Sequence, residues 1–411
     1  MLRFLLANLR WLAAGFLLTF ASTCGQTWFI SLSATAIKQE YGLSDSRWGG
    51  LYTLATLASA AVMFWQGSVV DRVSPRTVAG LTAGLFALAA AGMAGGQSIW
   101  LLGLSLFLLR FCGQGMFGHI AMTTVGRWFL AQRGRAVAIT NLGYPASEIL
   151  LAAPAVLMIN LIGWRQLWAG AAGILLLAVL PLLVWLLAGN RTPQMQTASH
   201  EQAGLGGRHW QRRDAIRHWL LPALLPTLLT PGFMGTVLFF QQTNIASTKH
   251  WSIVAMAPGF SCFAMAGVLA SFAAGWAVDR LGGARLLPVL LVPIGIGMAT
   301  IAAATHIATW YVALAMMGIT MGIASALWGA FLPTLYGTRH LGAIRSLSTT
   351  IMVFSTALGP GLTGLLIDQG IDVPTQCLGL AGWCFAISAG SLLIKRRLSR
   401  ELAATAPDHQ P

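Results

Sequence analysis

Apolar stretches of about 20 residues recur from one end of this chain to the other, and each is long enough to cross a hydrocarbon layer of about 30 Å as a helix. The runs cover residues 11–36, 48–70, 77–96, 99–125, 136–162 and 164–188, then 219–245, 253–278, 286–304, 310–335, 344–367 and 375–394. No single soluble core absorbs that much apolar chain. With 56% hydrophobic and 9% charged residues, the solvent for most of the chain is lipid. The expected fold is an all-α integral membrane protein with twelve transmembrane helices. The 46 glycines fit that reading, because small residues let membrane helices approach closely. The first run follows a basic flank, as in a signal peptide, but it is too long for a cleaved segment and reads as the first span.

A net charge of +14 raises the question of nucleic acid, and the placement of the basic residues answers it. Arg3 and Arg10, Arg72 and Arg76, Arg127 to Arg135, Arg191 to Arg217, Arg280 and Arg285, Arg339 and Arg345, and Lys395 to Arg400 occupy every second connection. The intervening connections hold Lys38, Arg47, Arg165 and Lys249. The positive-inside rule then puts both termini and the long central connection in the cytoplasm, with the spans in a cell inner membrane. Nucleic-acid binding is not expected. The five cysteines lie in or beside apolar runs without metal-ligand spacing, so no metal site is expected. Lys38, Lys249 and Lys395 follow Ile, Thr and Ile, so no phosphate-binding loop is present and no cofactor is expected.

The chain divides into a first bundle of six helices over 1–188, a polar cytoplasmic linker over 189–218, a second bundle over 219–394, and a cytoplasmic tail over 395–411 expected to be disordered. The halves repeat one another. Gly67, Asp71 and Arg72 end the second span, and Gly275, Asp279 and Arg280 end the eighth at a constant offset, which also carries Gly134 onto Gly342. Two pseudo-symmetric six-helix halves are the build of carriers whose site lies between repeats.

At these residues the chain resembles the major facilitator superfamily, over essentially its whole length. Gly67, Asp71, Arg72 and Arg76, and again Gly275, Asp279, Arg280, Gly282 and Arg285, are similar to its loop signature. The resemblance implies a conformational latch there, with Arg127 and Arg135 as partners of Asp71. Gly126, Arg127, Trp128 and Phe129, followed by Arg133 to Ala136 and Gly143, look like the entry to the fifth span in the monocarboxylate and oxalate/formate porter branch.

Two charged residues lie deep inside spans, Arg110 in the fourth and Glu148 in the fifth, and both fall near the midplane. Gln114 shares a helix face with Arg110, while Asn141, Tyr144 and Glu148 share another, as expected of a wet cavity. Gln26, Gln241, Gln242, Trp328 and Ser355 could line it too, whereas His119 reads as packing. The expected mechanism is alternating access. Arg110 attracts a small anionic or carboxylated solute, which takes it from Glu148, and Glu148 then accepts the coupling proton. A salt bridge that only neutralises both groups is the bland alternative. Proton-driven efflux of drug-like compounds and a non-transporting sensor on the same scaffold are the rival functions. No cluster of acid, base and nucleophile marks an enzyme. The expected partners are a small-molecule solute, a proton and the lipid bilayer, with the protein a monomer.

Overall fold

The computed structural model describes residues 6–66, 69, 73–129, 133–188, 204–337 and 341–404, and these are helical, with short joints and no strand among them. All-helical architecture follows from the solvent, because a segment in hydrocarbon must satisfy its own backbone polar groups. The twelve spans are α1 (Leu9–Ala21, continued as Ser22–Gly25, Thr27–Leu32 and Ala34–Tyr41), α2 (Asp45–Gln66), α3 (Pro75–Gly95), α4 (Ile99–Gly126), α5 (Gly134–Ile162) and α6 (Trp164–Leu186) in the first half. In the second half they are α7 (Leu220–Phe240), α8 (Pro258–Leu281), α9 (Val292–Ala302), α10 (Ala308–Tyr336), α11 (Leu341–Asp368) and α12 (Val373–Ala404). Among the described residues, nine of the helices are long and apolar enough to span a bilayer without interruption. The other three spans are α1, which is broken, α2, and the short α9.

Local sequence sets the helix ends. Ser74 accepts from the Thr77 N–H at 3.2 Å with Pro75 in the first turn of α3, and Ser98 accepts from the Leu101 N–H at the start of α4. A single residue, Gly163 at φ +96°, joins α5 to α6, a turn that a side chain would strain. Each half has its own core, with Ile30, Phe86, Leu106, Phe117 and Trp168 in the first and Leu224, Leu290, Trp310, Leu314 and Leu335 in the second. The outward faces carry exposed Leu161, Leu177, Leu269 and Leu393, as a lipid-facing surface requires.

Three expected boundaries move. The first run is not one helix: Ser22 Oγ and Thr23 Oγ1 donate to the Thr19 and Phe20 carbonyls at 2.6 Å, and Gln26 is extended at φ −80°, ψ 146°. Hydroxyls that compete for backbone carbonyls, followed by a glycine, open the helix here. The tail expected to begin at Lys395 continues α12 to Ala404, because Trp219 Nε1 donates to Glu401 at 3.0 Å and Arg397 lies 3.9 Å over the Trp219 ring. Within the linker, 189–203 lie outside the described residues, and 204–218 are folded against the end of α10, where the Trp210 N–H donates to the Tyr336 carbonyl at 3.2 Å.

We call the side of the molecule bearing the start of α1, the end of α12 and residues 204–218 the terminal face. The halves are joined near the opposite face. Ser31 Oγ donates to the Phe239 carbonyl at 2.5 Å, and Gln242 Nε2 donates to the Trp28 carbonyl at 2.9 Å and to Ser31 Oγ at 2.6 Å. Thr53 Oγ1 donates to the Ala357 carbonyl at 2.6 Å and accepts from the Gly361 N–H at 3.1 Å, which fastens α2 to α11. Trp48 and Tyr52 of α2 pack on Phe240 of α7 at 5.7 Å and 4.8 Å between ring centroids.

Candidate functional site

Tyr144 of α5 meets α4 at Gly118, where a Cβ would come within 2.6 Å of the tyrosine hydroxyl. The two helices are antiparallel, so that crossing puts Glu148 at the depth of Gln114 and Arg110 one turn, about 5 Å, nearer the opposite face. This register fixes the depths of the two charges relative to each other. Their facing does not match the expected pair.

Arg110 is 1% exposed and begins a wide helical turn, Arg110–Phe117, within α4. Its Nη1 donates to the Gly25 carbonyl at 3.0 Å and to Thr27 Oγ1 at 3.3 Å, and its Cζ lies 5.1 Å from the centre of the Tyr52 ring. Tyr52 in turn donates to Thr27 Oγ1 at 2.8 Å. The break in α1 explains this arrangement, because opening the helix releases the Gly25 carbonyl and the guanidinium takes it. The crossing is close enough that a Cβ on Gly25 would lie 2.7 Å from the Gly113 Cα, so glycine is needed there. The Nε and Nη2 groups of Arg110 are buried and have no hydrogen-bond partner. They form one edge of the guanidinium, with two parallel N–H groups spaced for the two oxygens of a carboxylate.

Glu148 faces the other way. With Asn141 and Tyr144 it lines a cavity of about 510 Å³ between α5, α8 and α10, whose further polar groups are Ser271 and Ser325 and whose apolar wall includes Phe263 and Met321. Among the described residues no basic side chain forms an ion pair with Glu148. The expected Arg110–Glu148 pair is therefore corrected: one group turns to the break in α1, the other to the second half. Trp328 lines an adjoining cavity of about 380 Å³ between α7, α10 and α11, which shares Met321 and Ser325 with the first. The first cavity begins at Phe263, which packs on Phe239 at 5.1 Å beside the contacts that join the halves.

The remaining expected residues separate. Gln114 and Gln26 are half-buried near Arg110, and Gln26 Nε2 donates to Ser22 Oγ at 3.2 Å. Gln241 does not line the cavity; it is 1% exposed, donates to Thr363 Oγ1 at 2.8 Å and accepts from Asn244 Nδ2 at 2.5 Å. Asn244 also donates to Asp45 at 2.7 Å, and Lys38 reaches Asp45 at 2.7 Å and Asn244 at 3.2 Å. Gln241 and Gln242 thus belong to the seal between halves. Ser355 donates to the Met352 carbonyl of its own helix. Sequence reasoning missed Tyr52, Ser271, Ser325 and this Lys38–Asp45–Asn244 network; a tyrosine inside an apolar run was the one signal available for Tyr52.

Of the latch, Gly67, Asp71 and Arg72 and the side chain of Arg127 lie outside the described residues. Arg135 is exposed, as is Asp279, while Arg280 lies 5.0 Å over Trp276 of its own helix. At Gly275 a Cβ would meet nothing within 4 Å among the described residues, so no helix packs closely on it there.

Comparison with known proteins agrees with this architecture. The family model of the Major Facilitator Superfamily matches residues 15–360. A gallate transporter of Pseudomonas putida is 24% identical over 401 residues, covering 86% of this chain and 85% of the relative. Among solved structures, a bacterial homologue of the human lysosomal transporter Spinster, in an inward-facing and unoccupied conformation, matches with a TM-score of 0.67 at 14% identity, covering 96% of this chain and 95% of the other. Twelve helices in two halves, a cavity between them and a family match over most of the length lead to one conclusion: the chain belongs to the major facilitator superfamily and is a multi-pass membrane transporter, not an enzyme.

Proposed function

We propose that this transporter carries a small organic acid, an aromatic carboxylate of the kind named for its gallate-transporting relative, by alternating access coupled to protons. The observation that carries the reading is the unpartnered Nε/Nη2 edge of Arg110, a buried two-pronged donor beside the break in α1. Buried donors left without partners call for an absent ligand or ion, and a carboxylate fits this edge in number and spacing. Arg110 lines neither cavity; in this reading the solute reaches it from them, with Trp328, Met321 and Met352 as an apolar and aromatic surface for its ring and Asn141, Tyr144, Ser271 and Ser325 as partners for its hydroxyl groups.

Glu148 is the coupling group in this reading, by a route different from ion-pair exchange. Closure of the terminal face over an ionised Glu148 would bury a charge without a partner, which is expensive. A proton removes that cost, so the protonated carrier closes and the ionised one stays open. In this reading the termini and linker face the cytoplasm, as the positive-inside rule favours, the spans lie in an inner membrane, and the protein acts as a monomer.

The test is flux in proteoliposomes. Hydroxylated benzoates should be taken up and accelerated by an inwardly directed proton gradient, while their carboxamides should neither be carried nor compete. Equal transport of acid and amide would sink the carboxylate reading, and indifference to the gradient would sink proton coupling.

A further inference from the structure

The linker contains a built recess that transport does not use. Over 204–218 the chain folds back on itself, with the Trp210 indole donating to the Leu205 carbonyl at 2.9 Å and packing edge-on against Tyr336 at 5.8 Å and against His218 at 4.7 Å. The six residues Arg208, His209, Trp210, Asp214, Arg217 and His218 enclose about 260 Å³. Two arginines face one carboxylate, and Asp214 is engaged in capping, accepting from the Gln211 N–H at 3.3 Å. Nδ1 of His218 is buried in the wall without a hydrogen-bond partner. A basic connection that served only to orient the chain in the membrane would need no such cavity and no ordered floor of aromatic rings.

We propose that this recess binds the phosphate of an anionic lipid headgroup. Paired guanidinium groups are suited to phosphate oxygens, and His218 adds a neighbouring nitrogen. Lipid is the source favoured by position: the recess adjoins Trp219 at the entry of α7, and indole rings at helix ends mark the membrane–water boundary. The bound phosphate would join three helix ends, α7 through His218 and Trp219, α10 through the Trp210–Tyr336 contact and α12 through Trp219–Glu401. It therefore favours the conformation in which the linker is docked on the second half.

The experiment uses the full-length protein in nanodiscs of phosphatidylcholine with increasing phosphatidylglycerol, with retained lipid counted by native mass spectrometry and thermal stability followed in parallel. Phosphatidylglycerol should be retained selectively and raise the unfolding temperature. The double variant R208Q/R217Q should weaken retention about 30-fold, at about fivefold per arginine near an anionic surface. R213Q removes one charge from an exposed position outside the recess and should weaken retention clearly less than R208Q or R217Q alone. Arg208 and Arg217 are exposed, so their replacement spares the core. Unchanged retention in the double variant, or a loss in R213Q equal to that in R208Q or R217Q alone, overturns the site. Protection by millimolar inorganic phosphate equal to that by lipid overturns the assignment to a headgroup.

Discussion

Arg110→Lys separates a guanidinium that receives the solute from one that only ties α4 to α1. Lysine keeps the charge but has no two-pronged edge, so a carboxylate on the Nε/Nη2 side loses one of two charge-assisted hydrogen bonds. A bond of that kind contributes about 1.5–3 kcal/mol, so KM should rise about 10- to 150-fold. Arg110→Met removes the charge as well and strands the Gly25 carbonyl that Nη1 now satisfies at 3.0 Å. That variant should lose about 1–3 kcal/mol of stability from the stranded acceptor, and uptake should fall to background. The assay is initial-rate uptake of a hydroxylated benzoate into proteoliposomes, with thermal unfolding of each variant in detergent. Competition by the matching carboxamide closes the cycle: replacing acid by amide should matter more in wild type than in Arg110→Lys. A lysine variant with wild-type KM and reduced thermal stability would refute the reasoning and leave Arg110 a structural tie.

Glu148→Gln should abolish the response of uptake to a proton gradient while solute exchange down its own gradient survives; a retained gradient response, read from uptake at imposed pH differences, would reassign the coupling group. Gln242→Ala removes two neutral hydrogen bonds across the seal, at about 1 kcal/mol each, and should shift the balance toward opening at the opposite face about 30-fold, as read by spin-label distances across that face. Glu40, in the last turn of α1 beyond the apolar run of residues 11–36, accepts from Arg165, and that bond holds its carboxyl below the ordinary value of 4.5. Its contribution is therefore complete above pH 4.5 and is lost as pH falls through the lower folded value, so the thermal-stability difference between wild type and Glu40→Gln should be constant at neutral pH and vanish in acid.

The spans and the two halves could be read from the sequence because hydrocarbon imposes one rule, a helix for each long apolar run. Relative depth could be read as well: counting residues from the helix ends puts Arg110 and Glu148 at similar depths, and the Gly118–Tyr144 crossing sets them about one turn apart. Facing could not. Which way a helix turns depends on what its neighbours offer, and the Gly25 carbonyl becomes available to Arg110 only because α1 opens at Ser22–Gln26. The ingredients of that opening, two hydroxyl residues and a glycine, stand in the sequence, but inside an apolar run they read equally as tight packing. The extension of α12 was hidden for a similar reason. Its Lys395–Arg400 segment looks like a solvated tail until Trp219, 182 residues earlier than Glu401, supplies a ring and a donor.

The chemistry of the Lys38–Asp45–Asn244 network bears on how readily the carrier turns over. Both ions of the pair come from the first half, on α1 and α2, and the second half touches them through a neutral amide. Gln242 likewise reaches across with an amide to a carbonyl and a hydroxyl. When these contacts part, Asp45 keeps its lysine, and the groups that become wet are dipoles that water can satisfy. At these contacts the carrier separates no opposite charges on opening, so that step avoids a desolvated-ion barrier and should respond only weakly to ionic strength.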